Sequence, residues 1–130
     1  MTGSRANGGG LVTRRVEIEP FITKDGSSIR ELIHPAVHGT GKQSVAEAML
    51  PAGQKTLLHR HRLSEEIYHI LEGNGWVRLG DRCHPVTVGD TIRIPPGTPH
   101  GMVASEGGAL VFLCCCVPPY RHEDTELLEE

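Results

Sequence analysis

The stretch Gly53-Gln54-Lys55-Thr56-Leu57-Leu58-His59-Arg60-His61-Arg62-Leu63-Ser64-Glu65-Glu66-Ile67-Tyr68-His69-Ile70-Leu71-Glu72-Gly73 decides the fold. In extended chain the two-residue period of side chains puts His59 and His61 on one face, close enough for their imidazoles to share a cation, and turns Arg60 away. On a following strand Glu66, Tyr68 and Ile70 share one face and Ile67, His69 and Leu71 the other. The Glu66 carboxylate can then swing toward the same cation. Two imidazoles and a carboxylate form a ligand set for a divalent transition metal.

The same stretch resembles the first motif of the cupin superfamily, G-x5-H-x-H-x3-4-E-x6-G, with Gly53, His59, His61, Glu66 and Gly73 at its fixed positions. A second cupin motif, G-x5-P-x-G-x2-H-x3-N, is matched by Gly89, Pro95, Gly97 and His100, with Ala104 where the family carries Asn. The chain looks like the small single-domain cupins described as mannose-6-phosphate isomerase-like, of the cupin_2 type. The resemblance implies an all-β, single-domain cupin barrel, a double-stranded β-helix of jelly-roll type. It also implies that His59, His61, Glu66 and His100 hold one metal ion, with Fe, Mn, Ni, Co and Zn all compatible with that donor set. The activities of similar proteins include dioxygenases, isomerases, lyases, decarboxylases and cyclases, together with binders that catalyse nothing, so the fold leaves the reaction open.

The residues outside the motifs agree with one small β domain. A chain of 130 residues with 38% hydrophobic content suits a single core. A formal charge of −3 and 4% aromatic residues offer neither a basic field for phosphate backbones nor stacking platforms, so nucleic acid is not expected as a partner. The run Met1 to Gly10 is glycine-rich and polar and is expected to be a mobile tail, with the cupin domain over 11–120. No signal-peptide h-region and no apolar run of about 18 residues is present, which leads us to expect a soluble, cytoplasmic protein without a membrane partner.

From Leu11 the chain reads as strands and turns. Strands are expected over Val12 to Ile18, Ile29 to Ile33, Gln43 to Leu50, Glu66 to Leu71, Trp76 to Leu79, Cys83 to Val88, Thr91 to Ile94, Met102 to Ala104 and Ala109 to Val117. The turn Pro95-Pro96-Gly97-Thr98-Pro99 sets the direction in which His100 enters. His34 and His38 fall in an expected loop and have no partner spacing. Ile70, Leu79, Ile92, Ile94 and Val111 are expected to fill the barrel floor, and Arg121 to Glu130 to form an acidic tail or a short helix from Asp124. Pairing of the N-terminal strands across a two-fold, to cover their edges, predicts a homodimer.

Several side chains carry chemistry beside the ligand set. Tyr68 shares the Glu66 face and is the candidate catalytic residue, able to transfer a proton or hydrogen-bond a metal-held ligand. Arg60 and Arg62 sit where a rim would meet an anionic substrate, and Trp76 suits a contact surface or the pocket mouth. In Cys114-Cys115-Cys116 the middle thiol points opposite to its neighbours, and the run has neither disulfide-framework nor zinc spacing. The expected function is a metal-dependent enzyme acting on a small oxygen-bearing metabolite. The alternative is a metal-stabilised binding or sensor protein.

Overall fold

The computed structural model describes residues 3–5, 10–39 and 41–129. Its thirteen strands are β1 Gly3–Arg5, β2 Leu11–Thr13, β3 Phe21–Ile22, β4 Ser28–Ile33, β5 Ser44–Leu50, β6 His59–His61, β7 Glu65–Glu72, β8 Asn74–Leu79, β9 Arg82–Thr87, β10 Thr91–Ile94, β11 His100–Ala104, β12 Leu110–Val117 and β13 Thr125–Leu127. A six-stranded sheet runs β10-β7-β12-β5-β4-β3, a five-stranded sheet runs β13-β6-β11-β8-β9, and β1 pairs with β2. Every pairing is antiparallel. Alternation along each strand turns one face inward, and the two inner faces meet in a core that includes Leu50, Tyr68, Ile70, Val77, Ile94, Met102, Leu110 and Phe112.

Two close approaches shape the corner where β7 passes into β8. Gly73 has a φ of +79°, and a Cβ built on it would lie 2.1 Å from the Ala109 carbonyl oxygen. A Cβ on Gly75 would lie 1.9 Å from the Val103 oxygen. Only glycine lets these backbones meet. Ala104, where the family motif has Asn, pairs with Gly75 across β11 and β8 and donates its N–H to the Gln54 oxygen at 2.9 Å.

Several expectations are corrected. The segment expected as one strand over Val12 to Ile18 divides into β2 and a 3-10 turn at Arg15–Glu17. His34-Pro35 opens a single helical turn, Pro35–His38, because the His34 side chain accepts from the Ala36 N–H and proline suits the first helical position. Val111 is not part of the floor, since β12 buries Leu110, Phe112, Cys114 and Cys116 and turns Val111 to the other side. Among the described residues the C-terminal segment holds no α-helix. A 3-10 turn at His122–Asp124 leads into β13, which pairs with β6 at Thr125–His61. Of the expected mobile tail, Gly3–Arg5 forms β1, while residues 1, 2 and 6–9 lie outside the described residues. No helix among the described residues is long and apolar enough to cross a membrane.

Candidate metal centre

Both sheets contribute to one buried cluster. β6 carries His59 and His61 on its inner face, and β11 begins at His100, which pairs directly with His59. β7, in the opposite sheet, carries Glu66 between Ile94 of β10 and Cys116 of β12. The Gly97 N–H, donated to the His61 carbonyl at 2.7 Å, ties the proline-rich turn to β6 and so brings His100 to the cluster. His59, His61, Glu66 and His100 are each no more than 4% exposed.

The imidazoles are oriented by their Nδ1 atoms. His59 Nδ1 is 2.7 Å from the Leu57 carbonyl and His100 Nδ1 is 2.9 Å from the Thr98 carbonyl. Carbonyls only accept, so both Nδ1 atoms carry hydrogen and the neutral rings present bare Nε2 lone pairs. His61 Nδ1 is 3.0 Å from Thr125 Oγ1, whose own hydrogen goes to the Arg121 carbonyl, so His61 is also the donor there. Each Nε2 faces the cluster. Glu66 divides its oxygens: Oε1 lies 3.0 Å from His61 Nε2 and 3.3 Å from His100 Nε2, and Oε2 accepts from the Cys116 thiol at 3.2 Å.

One ligand atom from each of the four residues lies within 4.8 Å of the others. Metal bonds of about 2.0–2.2 Å put two donors of one centre up to about 4.4 Å apart, so the set needs little closure to hold an ion. His100 Nε2 is fully buried and makes no hydrogen bond, its approach to Glu66 being close in distance but poorly directed. An orphaned buried nitrogen of this kind is costly, and a cation would satisfy it. The residues present fit a divalent metal.

Electrostatics follow the same geometry. Burial alone would raise the Glu66 carboxyl, but the adjacent His100 and His61 imidazoles outweigh it and hold it well below the usual carboxylate range. Burial would lower His61, yet the Glu66 hydrogen bond and charge, helped by Asp124 and Asp25, raise it above an ordinary histidine. His59 is lowered, chiefly by burial and then by the charge of His100. Tyr68 is pushed well above the usual phenol value by burial and by Glu66, so it stays a hydroxyl donor.

Beside the cluster lies a cavity with about 580 Å³ of space between atoms, counting its open mouth. Tyr68 lines it, its ring packed 4.8 Å from Phe112 and 5.9 Å from His100. Cys114 and Cys116 line it as well, while Cys115 points away, as the alternation of the run requires. Arg60 and Arg62 do not line it. Arg60 pairs with Glu126 at 2.6 Å and Arg62 donates to the Glu123 carbonyl. Trp76 is half exposed on β8 and is not among the cavity walls. His34 Nε2 donates to the Tyr120 carbonyl at 2.6 Å, a structural role away from the cluster.

Sequence reasoning missed Asp25, Thr125 and the Glu66 contact of Cys116. Asp25 lines the cavity with Oδ2 3.5 Å from His59 Nε2. Thr125 is 64 residues from His61, and Cys116 is 50 from Glu66. No local spacing links such distant residues. The composition of Asp25-Gly26-Ser27-Ser28 marks a turn but does not indicate which way the loop folds.

Residues 46–116 match the family description "Cupin domain". This chain is a cupin. The uncharacterized protein MJ1618 of Methanocaldococcus jannaschii is 57% identical to it over 119 residues, covering 92% of this cupin and 95% of the relative. The polyketide synthase CurC of Streptomyces cyaneus is 30% identical, covering 85% and 74% of the two chains. Among solved structures, a predicted oxalate decarboxylase of Thermotoga maritima superposes with a TM-score of 0.72 at 27% identity, covering 82% of this cupin and 98% of that chain. The ligand residues all fall in the matched segment, whereas Asp25 and Thr125 lie outside it.

Proposed function

We propose that this cupin is a metal-dependent enzyme acting on a small oxygen-bearing metabolite, with a divalent transition metal held by Nε2 of His59, His61 and His100 and by Oε1 of Glu66. The observation that carries this reading is the orientation of the three rings: each Nδ1 is engaged by an oxygen, which leaves every Nε2 for the cluster, with those of His61 and His100 at 3.0 and 3.3 Å from Glu66 Oε1 and one ligand atom from each of the four residues within 4.8 Å of the others. Such outer partners fix ring orientation and raise ligand basicity. The bound metal would act as a Lewis acid on a substrate oxygen.

The chain's own groups then have distinct tasks. The Cys116 thiol occupies Glu66 Oε2 and leaves Oε1 to face the cluster. Tyr68, kept as a phenol, offers its proton or a hydrogen bond to the ligand in the cavity. The apolar walls around Phe112 exclude water from that exchange.

The test is to measure metal in protein purified without added metal, for wild type and for His100→Ala. The protein is then loaded separately with Fe(II), Mn(II), Ni(II) and Zn(II) and assayed on hydroxy-acids, keto-acids, thiols, sugar phosphates and uncharged hydroxy-ketones with and without O2. We expect near-stoichiometric metal in wild type, little in the variant, and turnover by at least one loaded form. Activity with Fe(II) only in air would identify a dioxygenase. Activity under nitrogen with several metals would identify an isomerase or lyase. Equal metal content in both proteins would refute the ligand assignment, and tight binding without turnover would replace the enzyme by a sensor.

A further inference from the structure

The walls of the cavity are acidic and apolar together. Among the described residues that line it are three carboxylates, Asp25, Glu31 and Glu66, and no lysine or arginine. Phe21, Ile29, Ala48 and Phe112 supply apolar surface. The nearby basic side chains are engaged elsewhere: Arg60 on Glu126, Arg62 on the Glu123 carbonyl, and Lys24 on the carbonyls of Thr125 and His122. A divalent ion at the cluster would be met by at least as much negative charge from these walls. Among the described residues that line the cavity, no basic side chain outside the histidine cluster remains to neutralise an anionic ligand.

Asp25 is the carboxylate best placed to act on whatever enters. Its Oδ1 accepts from the Ser27 N–H at 2.9 Å and the Ser27 hydroxyl at 2.7 Å, which fixes the plane of the group. Its backbone carbonyl accepts the Leu57 N–H at 2.7 Å, tying the turn to the segment that enters β6. The side chain is 13% exposed, and Oδ2 is left facing His59 Nε2. The loop is latched from the far side as well, by the Thr23 and Tyr120 hydroxyls at 3.2 Å. A carboxylate held this way is a fixed hydrogen-bond acceptor beside the ligand cluster.

We propose that the cavity takes an uncharged, largely apolar ligand bearing a hydroxyl beside a second oxygen, and that Asp25 selects it. Oδ2 accepts the hydroxyl hydrogen while the second oxygen faces the histidine cluster, and the same carboxylate repels dicarboxylates and phosphate esters. This rests on the reading of the cluster as a metal centre. Specificity arises from both parts, an attractive contact for the neutral ligand and a like-charge contact against the anion. At about 4 Å and an effective dielectric near 20, one such repulsion is large enough to change an affinity by well over tenfold.

The experiment is calorimetric titration of Zn(II)-loaded protein at pH 7.5 with three probes: 2′-hydroxyacetophenone, oxalate and mannose 6-phosphate. Protein-bound zinc is measured at the end of each titration. We expect wild type to bind the neutral probe at least tenfold more tightly than either anion. Asp25→Asn keeps an oxygen for Ser27 and is expected to raise oxalate affinity at least tenfold, with zinc content unchanged. Tighter binding of either anion by wild type, no binding of the neutral probe, or an oxalate affinity raised less than tenfold in Asp25→Asn would overturn the proposal. The wild-type ranking stands whether or not the variant folds. Absence of zinc from wild type would refute the metal centre instead, and the ranking on metal-free protein then decides the selectivity.

Discussion

His61 competes for its own ligand position. Its Nε2 lies 3.0 Å from Glu66 Oε1 while Nδ1 donates to Thr125, an arrangement that suits an imidazolium and agrees with its raised pKa. A metal must displace that proton. Affinity is therefore expected to be weakest in acid, to rise with pH through and above the ordinary histidine range, and to level off once His61 is neutral. Competition titrations with a chelating dye across pH 5.5 to 8.5 would check this, and an affinity independent of pH would contradict it. At Tyr68 the expectation concerns rate. Tyr68→Phe keeps the ring against Phe112 and removes only the hydroxyl, so metal content should hold while turnover falls by about 10²- to 10⁴-fold. A fall in ligand affinity with unchanged turnover would make Tyr68 a binding contact only.

At the scale of elements, β13 supports the centre although it supplies no metal donor. Its Thr125 hydroxyl passes hydrogen to the Arg121 carbonyl and accepts from His61, which sets the tautomer of the ring. The 3-10 turn before it is fastened by Asp124, whose carboxylate accepts the N–H groups of Leu63 and Ser64 at 2.9 and 3.1 Å. Thr125→Ala should therefore weaken metal binding by about 10- to 100-fold, the usual cost of losing an outer partner. Thr125→Ser should restore it. Loss of affinity in both variants would mean that packing of the methyl group, and not the hydroxyl, matters. The acidic composition of residues 121–130 concealed this role, because the value of β13 lies in its pairing with β6 and not in any property of the segment alone.

For the molecule as a whole, the N-terminal segment leaves partly covered edges. β3 covers β4 only at Ser28 and Ile29, and Val12, Val16, Phe21 and Ile22 are exposed. Pairing of two copies through this region would cover both backbone and apolar side chains. Light scattering is expected to give about twice 14.1 kDa, with the dimer weakened by Ile22→Lys. A monomer at high protein concentration would refute it. The sequence by itself determined the barrel and put forward the candidate ligands, because the period of a strand and the motif spacings place His59, His61 and Glu66 through short stretches of chain, and the proline turn delivers His100. The inward face of Tyr68 and the alternation of Cys114, Cys115 and Cys116 were legible for the same reason. Only the tertiary structure decided that Asp25, Thr125 and Cys116 converge on those ligands and that Arg60 and Arg62 do not. Those contacts join segments far apart in the chain, and which residues meet there is set by the pairing of whole strands and the folding of turns across the mouth, which no local pattern encodes.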